Sequence, residues 1–185
     1  PVIDLEDHML GIVTVDDVVD VIREEATEDF LQMAGAGKDR EILLKSAWGN
    51  ARSRLPWLFA SCIGGVAAVA IIGVFKNMLE TTVALAAFIP VIIGMGGNIG
   101  IQSSTIIVRG LATGRVDIGN KLKIILKEIK VGLILGILYG LLLGVFATLK
   151  FVNTTPYLGL IISLSILSSM IISTFVGTLV PLLFR

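Results

Sequence analysis

A cluster of glycines and side-chain amides in residues 90–104, PVIIGMGGNIGIQSS, contains the residue types best suited to chemistry in this chain. The cluster lies inside a long apolar run, where hydrocarbon cannot hydrogen-bond a loosened backbone. Each glycine lowers helix propensity by about 1 kcal/mol relative to alanine, and Pro90 removes one backbone donor. The pattern therefore predicts a broken membrane span that is packed in protein or lines a wet cavity.

Such a break would supply neutral oxygen ligands for a cation. The freed carbonyls of the glycine-rich turn and the side chains of Asn98 and Gln102 would point at a passing ion. The simpler alternative is that the glycines only let two helices pack closely, but close packing does not require two amides in addition. The glycines concerned are Gly94, Gly96, Gly97 and Gly100.

The elements that hold this segment are predicted to be membrane helices, so the fold class is an all-α membrane protein. Of the 185 residues, 55% are apolar, and the mean hydropathy is +0.91. Four stretches are long enough to cross about 30 Å of hydrocarbon, namely 56–75, 82–108, 131–149 and 157–184. Because the sequence begins at Pro1 and not at Met, and stops at Arg185 directly after an apolar run, we expect a fragment of a longer protein.

The interiors of these four stretches contain no carboxylate, histidine or lysine. No serine then has a base nearby in sequence, so we expect no enzyme and in particular no intramembrane hydrolase. Cys62 is the only cysteine, which excludes an intrachain disulfide and a thiolate metal cluster.

Small residues repeat every four positions in the last two stretches, which predicts close helix packing. They are Gly132, Gly136, Gly140 and Gly144 in the third stretch, and Ser165, Ser169, Ser173 and Gly177 in the fourth.

The first 30 residues form a strongly acidic arm. They hold ten carboxylates and one arginine, which gives a net charge of −9 in a chain that is neutral overall. Such an arm suits divalent cations and does not suit nucleic acid. The alternative is an ordinary solvated acidic helix.

Within this arm, Met9–Val15 is predicted as a short strand, and Thr14 and Asp17 form a capping box for a helix that begins at Val15. A Gly-Ala-Gly linker and a connecting helix over 38–54 lead to the first span. Basic residues concentrate in the 109–130 connection, so the positive-inside rule puts that connection and the arm in the cytoplasm. Residues 117–130 are predicted as a separate helix at the membrane surface.

Two stretches together resemble the MgtE family of magnesium channels and transporters. GIVTVDDVVDVIREEATEDF (11–30) is similar to the end of that family's second CBS domain and the following linker. FIPVIIGMGGNIGIQSSTIIVRGLATG (88–114) is similar to its second transmembrane helix. The resemblance divides the chain into a CBS tail with acidic linker (1–30), a connecting or plug helix (31–55) and a transmembrane domain (56–185).

The resemblance implies a homodimer in the cell membrane with five spans per subunit and a pore on the dimer axis. Mg²⁺ would be both the substrate and the regulatory ligand that closes the pore. The implied sensor ligands are Asp17, Asp20, Glu25, Glu28 and Asp29, and the implied pore lining is Gly94, Gly97 and Asn98, to which the residues themselves add Gln102.

Two features depart from the family pattern. The family's pore carboxylate follows an Asp-Pro-Ala motif in a fifth span that this sequence does not include, and Ile101 stands where many relatives have a polar residue. Two other functions remain open at this point, namely a secondary transporter for another divalent ion or small solute, and a nucleotide-sensing membrane anchor that only dimerises.

Overall fold

The chain divides into two compact units, Pro1–Cys62 and Ile63–Arg185, in the computed structural model. Residues 2–6, 8–33, 46–81, 83–116, 118–151 and 157–183 are described, except for the side chains at positions 26, 29, 30, 32, 33, 80, 81 and 118.

A small antiparallel sheet and an acidic helix begin the first unit. Strand β1 (Val2–Ile3) pairs with β2 (Met9–Gly11), and helix α1 runs over Val15–Met33. The predicted helix start at Val15 is confirmed, whereas the predicted strand over Met9–Val15 ends early at Gly11. Between the strands, Asp4 Oδ1 accepts hydrogen bonds from the backbone N–H groups of Glu6 (2.9 Å) and His8 (2.8 Å).

Within the described part of the chain, four helices are long and apolar enough to cross a membrane, as the sequence predicts for this fold class. They are α2 (Ala47–Val74), α4 (Val83–Ala112), α5 (Lys121–Lys150) and α6 (Leu158–Leu183). A short helix, α3 (Lys76–Thr81), precedes α4, and a 3₁₀ turn (Ile118–Asn120) precedes α5.

Two predicted helix boundaries differ from the observed ones. Helix α2 begins at Ala47 and continues through Pro56, so the described end of the predicted connecting helix (31–55) belongs to the first span; residues 34–45 lie outside the described part. Helix α5 begins at Lys121, so the predicted separate surface helix and the third span are one helix. No glycine or proline interrupts it before Gly132, and Ile124 and Ile125 already pack against the buried residues Ile107, Leu111 and Leu182.

The prediction that residues 90–104 interrupt their span is wrong, because α4 is helical without a break from Val83 to Ala112. The four glycines cost helix propensity of about 1 kcal/mol each. Opening the helix would cost more, since every backbone group left unpaired in hydrocarbon costs several kcal/mol. The glycines therefore serve some purpose other than unwinding.

Helix α6 is the central element of the second unit, with α5 packed on one side and α4 on another. The largest buried cluster contains residues from all three helices and includes Phe88, Ile99, Ala147, Leu158, Ile162, Ile166 and Met170. Phe88 also makes edge-to-face contacts with Phe146 and Phe151, at ring-centroid distances of 6.4 and 6.0 Å.

The glycine ladder on α5 lies in its interface with α6. A Cβ atom on Gly140 would come within 2.8 Å of the Ser163 carbonyl oxygen, and one on Gly136 would come within 3.1 Å of the Leu167 Cα. Ser163 Oγ donates to the Gly140 carbonyl at 2.8 Å, a bond that only this close approach permits. The partner stripe on α6 contains Gly159, Ser163 and Thr174, and it differs from the predicted serine stripe.

We predict that Gly140→Leu destabilises the helix bundle by about 1–3 kcal/mol, the usual cost of forcing extra atoms into a packed interface. The obstructing atom is a backbone carbonyl, which cannot move aside as a flexible side chain would. Gly73→Ala is the control, because a Cβ there meets nothing within 4 Å. Denaturant-induced unfolding of the detergent-solubilised protein measures both, and equal stability of the two variants would contradict the interface.

Candidate functional site

One face of α4 is left uncovered by the helices around it. Its residues recur at intervals of three and four, which places them on a single stripe along the helix. The exposed stripe consists of Gly94, Gly97, Asn98, Ile101 and Gln102. A Cβ on Gly94 or Gly97 would meet nothing within 4 Å, so the backbone of the stripe is open to whatever lies in front of it.

The other two glycines of the cluster lie on the opposite face and pack against α6. A Cβ on Gly96 would overlap Ser169 Oγ and lie 3.0 Å from Ser173 Oγ, and a Cβ on Gly177 would overlap the Gly100 carbonyl oxygen. Ser169 Oγ also donates to the Ile92 carbonyl at 3.3 Å. Three members of the predicted α6 stripe thus contact α4, whereas Ser165 is outside these contacts.

Asn98 and Gln102 present unpaired amides on the open stripe. Within the described part of the chain, neither side chain has a hydrogen-bond partner. An amide without a partner in hydrocarbon costs several kcal/mol, so polar groups within a span normally face a bundle interior or a water-filled cavity. The stripe is therefore a surface that requires water, an ion or a polar partner in front of it.

The chemistry available on this stripe is that of neutral oxygen and amide dipoles. The helix is continuous, so the expectation of freed backbone carbonyls does not hold, and the side-chain amides are the principal polar groups. Amide oxygens accept hydrogen bonds from the water shell of a cation and bind hard cations directly. The small glycines beside them leave space for such a hydrated ion.

The predicted sensor carboxylates lie on α1. Asp17, Asp20 and Glu25 are exposed and Glu28 is half-buried, while the side chain of Asp29 is outside the described set. Among the described residues of α1, no three carboxylates converge closely enough to hold a metal ion. The described carboxylates of one copy of α1 therefore do not form a complete cation cage.

Asp17 is engaged at the start of α1. Its Oδ2 accepts hydrogen bonds from the Thr14 N–H and the Thr14 hydroxyl, both at 2.7 Å, and its own N–H donates to Thr14 Oγ1 at 3.3 Å. This confirms the predicted capping box. The Thr14 side chain, followed by its backbone N–H, lowers the pKa of Asp17 below its ordinary value of 3.8.

Sequence reasoning did not identify the Asp4, Glu6 and His8 group or the pairing of Ser103 with Glu128. The first three place potential ligand atoms within 4.8 Å of one another in the exposed turn between the strands. In the second unit, Ser103 Oγ donates to Glu128 Oε2 at 2.9 Å, and both residues are buried. Glu128 lies in α5 but outside the predicted third span (131–149), which contains no carboxylate.

The profile of the MgtE family, described as "Divalent cation transporter", matches residues 89–185, which include the exposed stripe of α4, all of α5 and all of α6. The chain belongs to the MgtE family. This is a family of multi-pass membrane transporters and not of enzymes, which agrees with the four apolar helices.

Three curated relatives align with essentially the whole chain, each named "Magnesium transporter MgtE". The protein of Thermus thermophilus is 36% identical over 187 residues, that of Enterococcus faecalis 35% over 183, and that of Bacillus subtilis 34% over 183. These alignments cover 99–100% of this chain but 40–41% of each relative. The chain thus spans about two fifths of the length of the relatives it matches.

We predict that Thr14→Val raises the pKa of Asp17 toward its ordinary value, because the hydroxyl that donates to the ionised carboxylate is removed. A lowered pKa means that the ionised form stabilises the cap above the ordinary pKa, and that this contribution is lost as pH falls through the lowered value. Carboxyl ¹³C NMR titration of Asp17 in both proteins measures the shift. An identical midpoint would contradict the capping assignment.

Proposed function

We propose that this chain is part of a transporter that moves Mg²⁺ across a cell membrane along the exposed stripe of α4. The observation that carries the proposal is the row of open glycines and unpaired amides, Gly94, Gly97, Asn98 and Gln102, on a helix long enough to span the bilayer. Membership of a divalent cation transporter family supports it. The curated relatives, named as magnesium transporters, indicate the ion.

The chemistry of the stripe is compatible with Mg²⁺. This ion loses its water ligands reluctantly and usually keeps several of them when bound. A wall of small residues and neutral amides contacts such a hydrated ion through hydrogen bonds to its water shell. It holds the ion weakly enough for release, as conduction requires.

A second copy of the chain is the partner we propose for the open face. The stripe needs a polar or wet environment, and a two-fold arrangement that brings two stripes together would enclose one water-filled path. The fifth span of the family would complete the wall. Neutral amides distinguish one divalent ion from another only weakly. Transport of another divalent ion along the same stripe is therefore the alternative.

We further propose that α1 lies in the cytoplasm and senses Mg²⁺ there. The basic connection between α4 and α5 supports this orientation through the positive-inside rule. Stacked carboxylates on one helix repel one another, and a bound divalent cation relieves the repulsion. Because no complete cage forms among the described residues of one α1, the ion would bridge these carboxylates to a second surface, and this bridging couples Mg²⁺ to closure.

We predict that Asn98→Leu in the full-length protein lowers Mg²⁺ uptake into liposomes at least about tenfold, the equivalent of about 1.4 kcal/mol in the transport barrier. The amide that faces the path is replaced by an apolar group of similar size. Ile134→Leu is the matched control, because Ile134 is an exposed residue of α5 and lies outside the stripe of α4. Uptake by Asn98→Leu equal to that of the control would refute the pathway.

The sensor proposal predicts that replacing Asp20, Glu25 and Glu28 together by Ala weakens inhibition by millimolar Mg²⁺ and leaves maximal uptake unchanged. The double variant Glu6→Ala/Asp16→Ala removes two other carboxylates of the arm and should retain inhibition. The measurement is uptake as a function of Mg²⁺ on the cytoplasmic face of full-length channels. Unchanged inhibition in the triple variant would show that α1 is a plain solvated helix.

A further inference from the structure

Glu128 and Ser103 form a buried polar contact between α5 and α4. Glu128 is 8% exposed and Ser103 is 3% exposed, and the Ser103 hydroxyl donates to Glu128 Oε2 at 2.9 Å. Among the described residues, this is the side-chain to side-chain hydrogen bond that joins two membrane-crossing helices. The other interhelical bonds, such as those of Ser163 and Ser169, end on backbone carbonyls.

The position of Ser103 on α4 relates this bond to the exposed stripe. Ser103 follows Asn98 by five residues, and at about 100° per residue it lies about 140° away around the helix axis. The rotation of α4 that brings Ser103 to Glu128 is therefore the rotation that turns Asn98 and Gln102 away from α5 and α6. If α4 were rotated about its axis by one residue, or about 100°, Ser103 would no longer reach Glu128. The amides of Asn98 and Gln102 would then turn toward α5 and α6.

The remaining α4–α6 contact near the stripe is made of small residues. Gly96 and Gly100 approach Ser169, Ser173 and Gly177 closely. This contact restrains α4 against α6, because a side chain in place of Gly96 would overlap Ser169, and the Ser169 hydroxyl also bonds the Ile92 carbonyl. A hydrogen bond depends strongly on direction, so the Ser103 to Glu128 bond adds a restraint on the rotation of α4 against α5, which the contact with α6 does not provide.

Glu128 has Ser103 and not a cation as its partner. Within the described part of the chain, no lysine or arginine forms an ion pair with it, although Lys127 and Lys130 are close in sequence. In the contact between α4 and α5, Glu128 therefore acts as a hydrogen-bond acceptor for Ser103.

We propose that Glu128 is a positioning residue, which fixes the rotation of α4 through Ser103 and thereby holds Asn98 and Gln102 on the ion path. Only the last clause rests on the proposed function. The restraint on α4 itself is measurable without any transport assay.

Disulfide formation between α4 and α6 reads the rotation of α4 directly. A Cβ on Gly100 would lie 3.6 Å from the Ser173 Cβ, which is within the range of a disulfide. In full-length protein with Cys62 and any other cysteine replaced by Ser, the pair Gly100→Cys/Ser173→Cys should cross-link readily. The offset pair Ile101→Cys/Ser173→Cys should cross-link slowly. Rotation lowers the rate of the Gly100 pair and raises that of the Ile101 pair, whereas general loosening lowers the first rate without raising the second, so a fall in the ratio counts as rotation only when the Ile101 rate rises.

Ser103→Ala and Glu128→Ala should each lower this ratio by a factor of about 5 to 30, the effect of losing a bond of one to two kcal/mol. The double alanine variant should lower it no further, because the two residues act as one unit. Glu128→Gln keeps an acceptor oxygen for Ser103 and should restore the ratio and Mg²⁺ uptake. Thr105→Val is the matched control, since the Thr105 hydroxyl donates only to the Ile101 carbonyl of its own helix.

A ratio that does not change in Ser103→Ala and Glu128→Ala would overturn the positioning role. An unchanged ratio in Glu128→Gln combined with uptake as low as in Glu128→Ala would also overturn it, because the negative charge and not the hydrogen bond would then be what matters. If the ratio changes as predicted while the unmodified protein transports no Mg²⁺, the proposed function fails and the restraint on α4 stands.

Discussion

The requirement that hydrocarbon imposes on the backbone determines most of this structure. Every N–H and C=O group within the bilayer must be paired inside the protein, and the four apolar helices meet this requirement without interruption. Helix α4 shows how strong the requirement is, because four glycines and Pro90 do not open it. The proposed ion path therefore runs along an intact helix, where amide side chains and small glycines lie on one face.

Glycine has two different roles on this helix. Gly96 and Gly100 let α4 approach the serines of α6, whereas Gly94 and Gly97 leave the opposite face open beside Asn98. Helix α6 packs against both neighbouring helices through small residues. Its contacts with the glycine ladder of α5 are made by Gly159, Ser163 and Thr174, and its contacts with α4 by Ser169, Ser173 and Gly177. Close packing on one side of α4 thus presents the amides on the other.

Much of the fold could be predicted from the sequence because it depends on local patterns. Apolar length predicts the four spans, and Thr14 with Asp17 predicts the start of α1. The separate roles of the open pair, Gly94 and Gly97, and the packed pair, Gly96 and Gly100, could not be predicted. All four are glycines of one segment, and only the position of α6 distinguishes the two pairs. Glu128 was missed because Lys123, Lys127 and Lys130 indicated a solvent-exposed surface around it, although its partner Ser103 comes from another helix.

If one stripe of α4 faces water within the membrane, as we propose, cysteine accessibility along the helix tests it most directly. Single cysteines at positions 94 to 103 of the cysteine-free full-length protein would be treated with a water-soluble thiol reagent, with and without Mg²⁺. We expect rapid labelling at 94, 97, 98, 101 and 102, slow labelling at 96, 99, 100 and 103, and protection of position 98 by Mg²⁺. Uniformly slow labelling, or labelling without this helical period, would contradict the proposal.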